Sequence, residues 1–215
     1  MGILGKLRFK DQAFKLREDA ILDATARLLA AKGFDLITMD DVADEVGLSK
    51  PSLYKHFKSK EDLVTEAMIR LLDGALAYLD GLPANLGPAD RLRSLLEWVL
   101  RVRLSGGLPF LPSTSAHVRA MLTHSLRYVT RALKLHRLLD AVVTDAKHRG
   151  ELGKALPNDV ILYSYYARTC DPAVEYLRVY GKYDDDAIVA HMLAVCFSGI
   201  ATGATGKVAQ RVQPG

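Results

Sequence analysis

Apolar residues in this chain recur three and four positions apart almost throughout, and no stretch sustains the period-two alternation that a half-buried strand requires. Side chains at those spacings share one face of a helix, so the pattern predicts an all-α fold. With 215 residues, 49% hydrophobic and 25% charged, the chain can build a sizeable core without disulfide or metal staples. Cys170 and Cys196 have no CxxC spacing and no His or Cys cluster beside them, and read as partly or fully buried reduced thiols. The first ten residues alternate apolar with basic Lys6, Arg8 and Lys10, which is not the uninterrupted apolar stretch of an export signal. Lys6 stands where a myristoylation signal needs Ser or Thr. Segment 187–206 carries no formal charge, but its apolar part ends near Ala201 and contains His191, a length that suits a buried helix better than a membrane span. The expectation is a cytoplasmic protein with no membrane association, no cofactor and no metal site.

The periodicity places a first helix over 11–32, burying Ile21, Ala24, Leu28 and Ala31 and stopping at Gly33. Two short helices follow, over 39–46 and 50–57, separated by Gly47-Leu48-Ser49, and a longer one runs from 60 to about 80, where Gly81-Leu82-Pro83 ends it. Beyond Pro88, Leu92, Leu95, Leu96 and Val99 share one face, with Arg93, Glu97 and Arg101 at i,i+4 spacing on the other. Residues 115–149 read as one long helix or two, and the last pair covers 157–180 and 184–203. No linker separates an N-terminal unit, 1–62, from the remainder, 63–215, so the junction falls within the helix that starts at Lys60.

Net charge is only +4, so local clustering carries more information than the total. Lys50, Lys55, Lys58 and Lys60 fall in an acid-free run over 47–60, and 113–139 is a second acid-free block with Arg119, Arg127, Arg131, Lys134 and Arg137. Thr38, Ser49 and Ser59 each precede a short helix as hydroxyl N-caps, with Asp41 and Asp62 three residues after the first and third. Two helices joined by a three-residue turn containing Gly form a helix-turn-helix. In the second of them Leu53 and Phe57 can face the first helix, leaving Lys50, Ser52, Tyr54, Lys55 and His56 able to donate to phosphates and base edges. Asp40, Asp41, Asp44 and Glu45 lie on the preceding helix, expected away from the groove.

The run from Thr38 to Leu63, TMDDVADEVGLSKPSLYKHFKSKEDL, resembles the DNA-binding signature of the tetracycline-repressor (TetR) family of bacterial regulators. Thr38, Gly47, Ser49, Leu53, Tyr54, Phe57 and Lys60 occupy the family's positions. The resemblance covers about the first third of the chain. It implies that Thr38, Tyr54 and Lys60 grip phosphates, that Lys50, Pro51, Ser52 and Lys55 approach bases, and that His56 takes the place of a frequent aromatic phosphate contact. Pro51 stands where many members carry Gly or a small residue, which removes a backbone donor but suits a first helical turn. Leu48 replaces the commoner Val. Further along, the family likeness is one of layout: a helical domain for effector binding and dimerisation, in a protein that binds double-stranded operator DNA as a homodimer.

At 100° per residue, a continuous helix over 117–146 would gather the five basic residues on one arc and set Leu122, Leu126, Val129, Leu133, Leu139 and Val142 opposite, with His136 in the apolar middle. His136 is then either a core histidine bonded to a neighbour or the polar anchor of a pocket for a mainly apolar ligand, walled by Trp98 and Tyr128. On 157–180 the same arithmetic separates Arg168, Asp171, Glu175 and Arg178 from Tyr163, Tyr166, Cys170, Val174 and Leu177. That seam, with Met192, Val195, Cys196 and Gly199, fits a dimerisation face, and Tyr163 and Tyr166 could alternatively wall the pocket. No GxSxG, HExxH or phosphate-binding glycine loop is present, which argues against an enzyme and assigns no catalytic residue. The reading is a ligand-responsive repressor, and its alternative is a helical adaptor binding protein partners through the basic long helix.

Overall fold

A computed structural model describes residues 3–107 and 116–199, with the side chains of residues 3–11 not described. Ten helices and no strand make up the described residues: α1 (Ile3–Leu36), α2 (Met39–Glu45), α3 (Lys50–Leu53), α4 (Lys60–Asp80), α5 (Pro88–Leu104), α6 (Ala116–His124), α7 (Leu126–His148), α8 (Asn158–Thr169), α9 (Ala173–Val179) and α10 (Asp185–Ser198). None of them is long and apolar enough to cross a membrane.

α1 begins eight residues before the expected start and does not end at Gly33. The glycine takes φ +77°, a left-handed conformation costly for any other residue, and the chain then resumes one more turn, with Ile37 N donating to Gly33 O. The long stretch after 115 is two helices, because Ser125 leaves the helical conformation and its hydroxyl accepts from Tyr128 N as a new N-cap. The single helix expected over 157–180 is also two. Pro172 cannot donate, and the residue before a proline disfavours the helical region, so the backbone breaks at Cys170-Asp171-Pro172. Arg103 of α5 closes that break. Its Nη1 donates to the carbonyls of Thr169 and Asp171, and its Nε and Nη2 bind both oxygens of Glu175 at 3.0 and 2.6 Å.

Two clusters of buried side chains share α4. The first unites Ile21, Leu22 and Leu29 of α1, Val42 of α2, Leu53 and Phe57, and Leu63, Val64, Ala67 and Met68 of α4. Val118 and Leu122 of α6 are buried in this same cluster although they lie far along the chain. The second takes over one turn later on α4, at Leu72, Ala75 and Leu79, and continues through α5, α7, α8, α9 and α10. Each fully buried leucine contributes roughly 1.5–3 kcal/mol of hydrophobic stabilisation.

The long basic helix departs from the expected facing. Its buried stripe is Leu135, Leu139, Val143 and Ala146, whereas Leu126 and Leu133 lie 79% and 47% exposed. Burial of that stripe sets the rotation, and it brings Arg127 to pair with Glu66 and Arg131 with Asp73 at 2.6 Å, both on α4. The arginine face is therefore turned partly onto a neighbouring helix.

Candidate nucleic-acid interface and sensor clefts

The short helices are built from local hydrogen bonds. Thr38 caps α2 as half of a reciprocal capping box: Asp41 N donates to Thr38 Oγ1 at 3.1 Å, and Thr38 N and Oγ1 donate to Asp41 Oδ2 at 2.9 and 2.8 Å. Lys32 donates to the other Asp41 oxygen at 2.8 Å. That bond, followed by those from Thr38, holds the Asp41 carboxyl at about 2, below its ordinary 3.8. Gly47 at φ +66° closes α2, and Leu48 N reaches back to Ala43 O at 2.9 Å, the six-to-one bond of a Schellman cap. Ser59 caps α4 by accepting from Asp62 N, while Asp62 Oδ2 accepts from Lys58 N and not from the cap residue. Ser49 makes no cap bond with its side chain.

α3 is a single turn rather than the two turns expected. After Leu53 the chain tightens through three-residue bonds, Lys55 N to Ser52 O and His56 N to Leu53 O, before Phe57 enters the core. This anchors Leu53 and Phe57 inward and leaves Ser49, Lys50, Pro51, Tyr54 and Lys55 on the exposed side, with Ser52 half-buried. Lys50 donates to Asp40 at 2.9 Å, which raises its pKa, so Asp40 lies against the reading helix and not away from it. The pair is exposed on both sides and weak enough for a phosphate to compete.

Three sequence expectations need correction here. His56 is not on the free side. Its side chain is 4% exposed, its ring stacks on Phe14 of α1 with centroids 4.1 Å apart, and its Nδ1 lies 3.7 Å from Glu18 Oε1 without a hydrogen-bond partner. The cause is the early start of α1, which carries Phe14 and Glu18 over the end of the reading unit. Lys60 is not directed outward either. Its ammonium donates to Phe34 O at 3.0 Å and sits 4.5 Å from the Phe34 ring centroid, tying the end of α1 to the start of α4. Thr38 is exposed, but both of its donors are committed to Asp41. Phe14 and Glu18 escaped the sequence reading, although their i,i+4 spacing upstream of Ile21 was a visible signal.

The candidate effector residues separate into two places. Tyr128, His136, Tyr163 and Tyr166 line one cleft of about 300 Å³ together with Leu72 and Thr123, between α4, α6, α7 and α8. Tyr166 Oη and His136 Nδ1 are 3.1 Å apart, and burial raises the Tyr166 and Tyr128 pKa values, keeping both as neutral phenols. His136 is thus a bonded histidine that also lines a cleft. Trp98 is not in this cleft. It stacks on Tyr78 at 5.4 Å and faces Gly74, whereas the tyrosine cleft uses Leu72, and two positions on a helix point to nearly opposite sides.

The expected dimer face also differs. Tyr166, Val174 and Met192 are buried within the subunit, and Cys170, Leu177 and Cys196 are half-buried. Apart from Cys170, these side chains belong to or pack against the second core, because α8 packs on α5 and α7, and α10 on α5 and α9. Of the expected set only Tyr163, Val195 and Gly199 are exposed. Val160, Tyr163, Ser164 and Ala167 on α8, and Ala190, His191, Ala194 and Val195 on α10, form the outward faces.

A capped helix, a glycine turn and a second helix with an exposed basic face, packed against a helical bundle, define a helix-turn-helix unit. Residues 21–67 match the family described as bacterial regulatory proteins, tetR family. The HTH-type transcriptional repressor KstR2 of Mycobacterium tuberculosis is 36% identical over 80 residues, which is 37% of this chain and 40% of the relative. The chain thus spans two fifths of the length of the curated relatives it first matches. The fold as a whole is similar to that of AibR in complex with isovaleryl coenzyme A and operator DNA, with TM-score 0.61, 20% identity, and coverage of 84% of this chain and 98% of the other. The transcriptional regulator FadR from Bacillus subtilis in complex with stearoyl-CoA gives TM-score 0.58, 16% identity, and coverage of 85% and 98%.

Proposed function

We propose that the chain is a cytoplasmic, homodimeric transcriptional repressor that binds a palindromic operator through α2 and α3 and releases it when a mainly apolar effector enters the tyrosine cleft. It is not an enzyme in this reading. The observation that carries it is the exposed Lys50, Pro51, Tyr54 and Lys55 surface on a helix anchored from behind by Leu53 and Phe57. In this reading Lys50, Pro51 and Lys55 approach bases while Tyr54 contacts phosphate, and Lys60 and His56 hold the reading unit together from behind.

Dimerisation is assigned to the outward faces of α8 and α10. Ala190 and Ala194 are small enough for close helix approach, and Val160 and Tyr163 supply apolar area. Effector coupling is assigned to α6, which lends Thr123 to the cleft and Val118 and Leu122 to the core under the reading unit. An aromatic, apolar cleft with one His–Tyr pair suits an acyl or aromatic ligand, and the acyl-CoA molecules in the FadR and AibR complexes support that class.

The adaptor alternative loses support because Arg127 and Arg131 are engaged by α4 carboxylates instead of forming an open basic face. The test is selection of bound duplexes from a random library, followed by titration at several salt concentrations. A palindromic consensus bound with steep salt dependence is expected. Recovery of no enriched sequence would overturn the reading.

A further inference from the structure

On the opposite side of α4 from the tyrosine cleft, a second cleft of about 300 Å³ lies between α1, α4 and the end of α5. Apart from α4, its walls come from other elements than those of the first: Ala26 and Arg27 from α1, and Trp98 and Val102 from α5. Trp98 is held by its stacking on Tyr78, so the indole is a fixed wall. Gly74 keeps that end open, since a Cβ there would meet Trp98 Cη2 at 3.2 Å.

The polar groups at the rim are unequal. Arg70 is committed to α1, donating to Asp23 Oδ1 at 2.6 Å and to Asp19 O at 3.1 Å, which also neutralises Asp23. Arg27 makes a single hydrogen bond among the described residues, to Glu45 at 3.2 Å, and its side chain is 53% exposed. A guanidinium carries five donors, so Arg27 retains the capacity to take a carboxylate. Apolar walls, one aromatic platform and one under-used guanidinium specify a ligand class.

We propose that this cleft binds a small aromatic carboxylate, with its ring against Trp98 and its carboxylate on Arg27. The site is separate from the tyrosine cleft and its occupancy does not depend on the effector reading. Trp98 is the single tryptophan of the chain, so its emission reports on this cleft.

The experiment titrates the full chain with 4-nitrobenzoate, whose ring quenches tryptophan, and with neutral 4-nitrobenzamide and cationic 4-nitrobenzylammonium of similar shape. Saturable quenching by the carboxylate is expected with a Kd below about 1 mM, and about tenfold weaker binding of the amide. Arg27→Gln should weaken the carboxylate about tenfold, since a charge-assisted bond is lost. Gly74→Leu should abolish saturation by filling the cleft, and His136→Leu, in the other cleft, should change nothing. Arg27 is half exposed, so its variant folds and decides the matter even if Gly74→Leu does not. Collisional, non-saturating quenching by all three probes would overturn the proposal, as would equal binding of the amide, tighter binding of the ammonium, or an Arg27→Gln titration matching wild type.

Discussion

Around α2, α3 and the start of α4, polar side chains find their partners three or four residues away: Thr38 with Asp41, Ser59 with Asp62, Lys58 N with Asp62. Among α5 to α10 the partners lie across the chain, Arg101 with Asp186, Arg103 with Glu175, Arg127 with Glu66 and Arg131 with Asp73. The first region can form its turns before the rest of the protein assembles. The second acquires its helix rotations only from neighbours. The difference teaches where each region is vulnerable: local caps each hold one turn, while the cross-chain partners of the half-buried Arg103 hold two helices against each other.

The sharpest break of this comparison comes from the outward face of the second region. Ala194→Arg places a charge on the proposed α8/α10 dimer face, far from the reading helix. It should yield monomer in sedimentation velocity and weaken operator binding by more than about 100-fold, because the second half-site no longer benefits from tethering. A dimer with wild-type DNA affinity would move the interface elsewhere.

Next in size is Arg103→Gln. The side chain is 11% exposed and serves two carbonyls and a carboxylate, so its loss leaves Glu175 and the α8–α9 break unpartnered. A cost of about 2–4 kcal/mol is expected in urea unfolding. Thr38→Ala, a local cap, should cost only about 1 kcal/mol. Equal losses would dissolve the contrast between the two regions.

A smaller effect separates the lysines. Lys55→Ala should weaken operator binding and relax the sequence preference at the bases it approaches, whereas Lys60→Ala should leave both the preference and the salt slope unchanged and lower stability instead. Lys60 faces Phe34, and a reduced slope for its variant would show that it swings out to phosphate on binding.

These assignments also show what a sequence can carry. The helix content, the caps at Thr38 and Ser59, the turn at Gly47 and the anchors Leu53 and Phe57 were legible because each is set within a few residues. The burial of His56 was not, since Phe14 and Glu18 reach it from a helix some forty residues earlier. The α8–α9 break had a local signal, Asp171-Pro172, that periodicity overrode. The facing of α7 had none: counting along the helix identifies its stripes, but the helices it packs against, α4, α5 and α8, choose which stripe turns inward. The separation of Trp98 from His136 is of the same kind, because it depends on which side of α4 each neighbour packs.

The smallest predicted effect is a pH dependence confined to the local region. Asp41 has its folded pKa depressed to about 2, first by Lys32 and then by Thr38, so the folded protein favours the ionised form more than the unfolded chain does. A depressed carboxylate contributes stability that is fully present above the unfolded value, near 3.8, and is lost as pH falls through the folded value. Asp41→Asn should therefore be less stable than wild type at neutral pH, with the gap narrowing only below about pH 4 and closing near pH 2. Because Asp41 is on the surface, high salt should shrink the Lys32 part of the gap and spare the part carried by the Thr38 hydrogen bonds. Denaturant midpoints of both proteins, compared at several pH values and two salt concentrations, supply the check. A gap that stays constant from pH 7 down to about pH 4 and then closes toward pH 2 fits the depressed carboxylate. One that already closes between pH 6 and 5 would assign the stabilisation to another group.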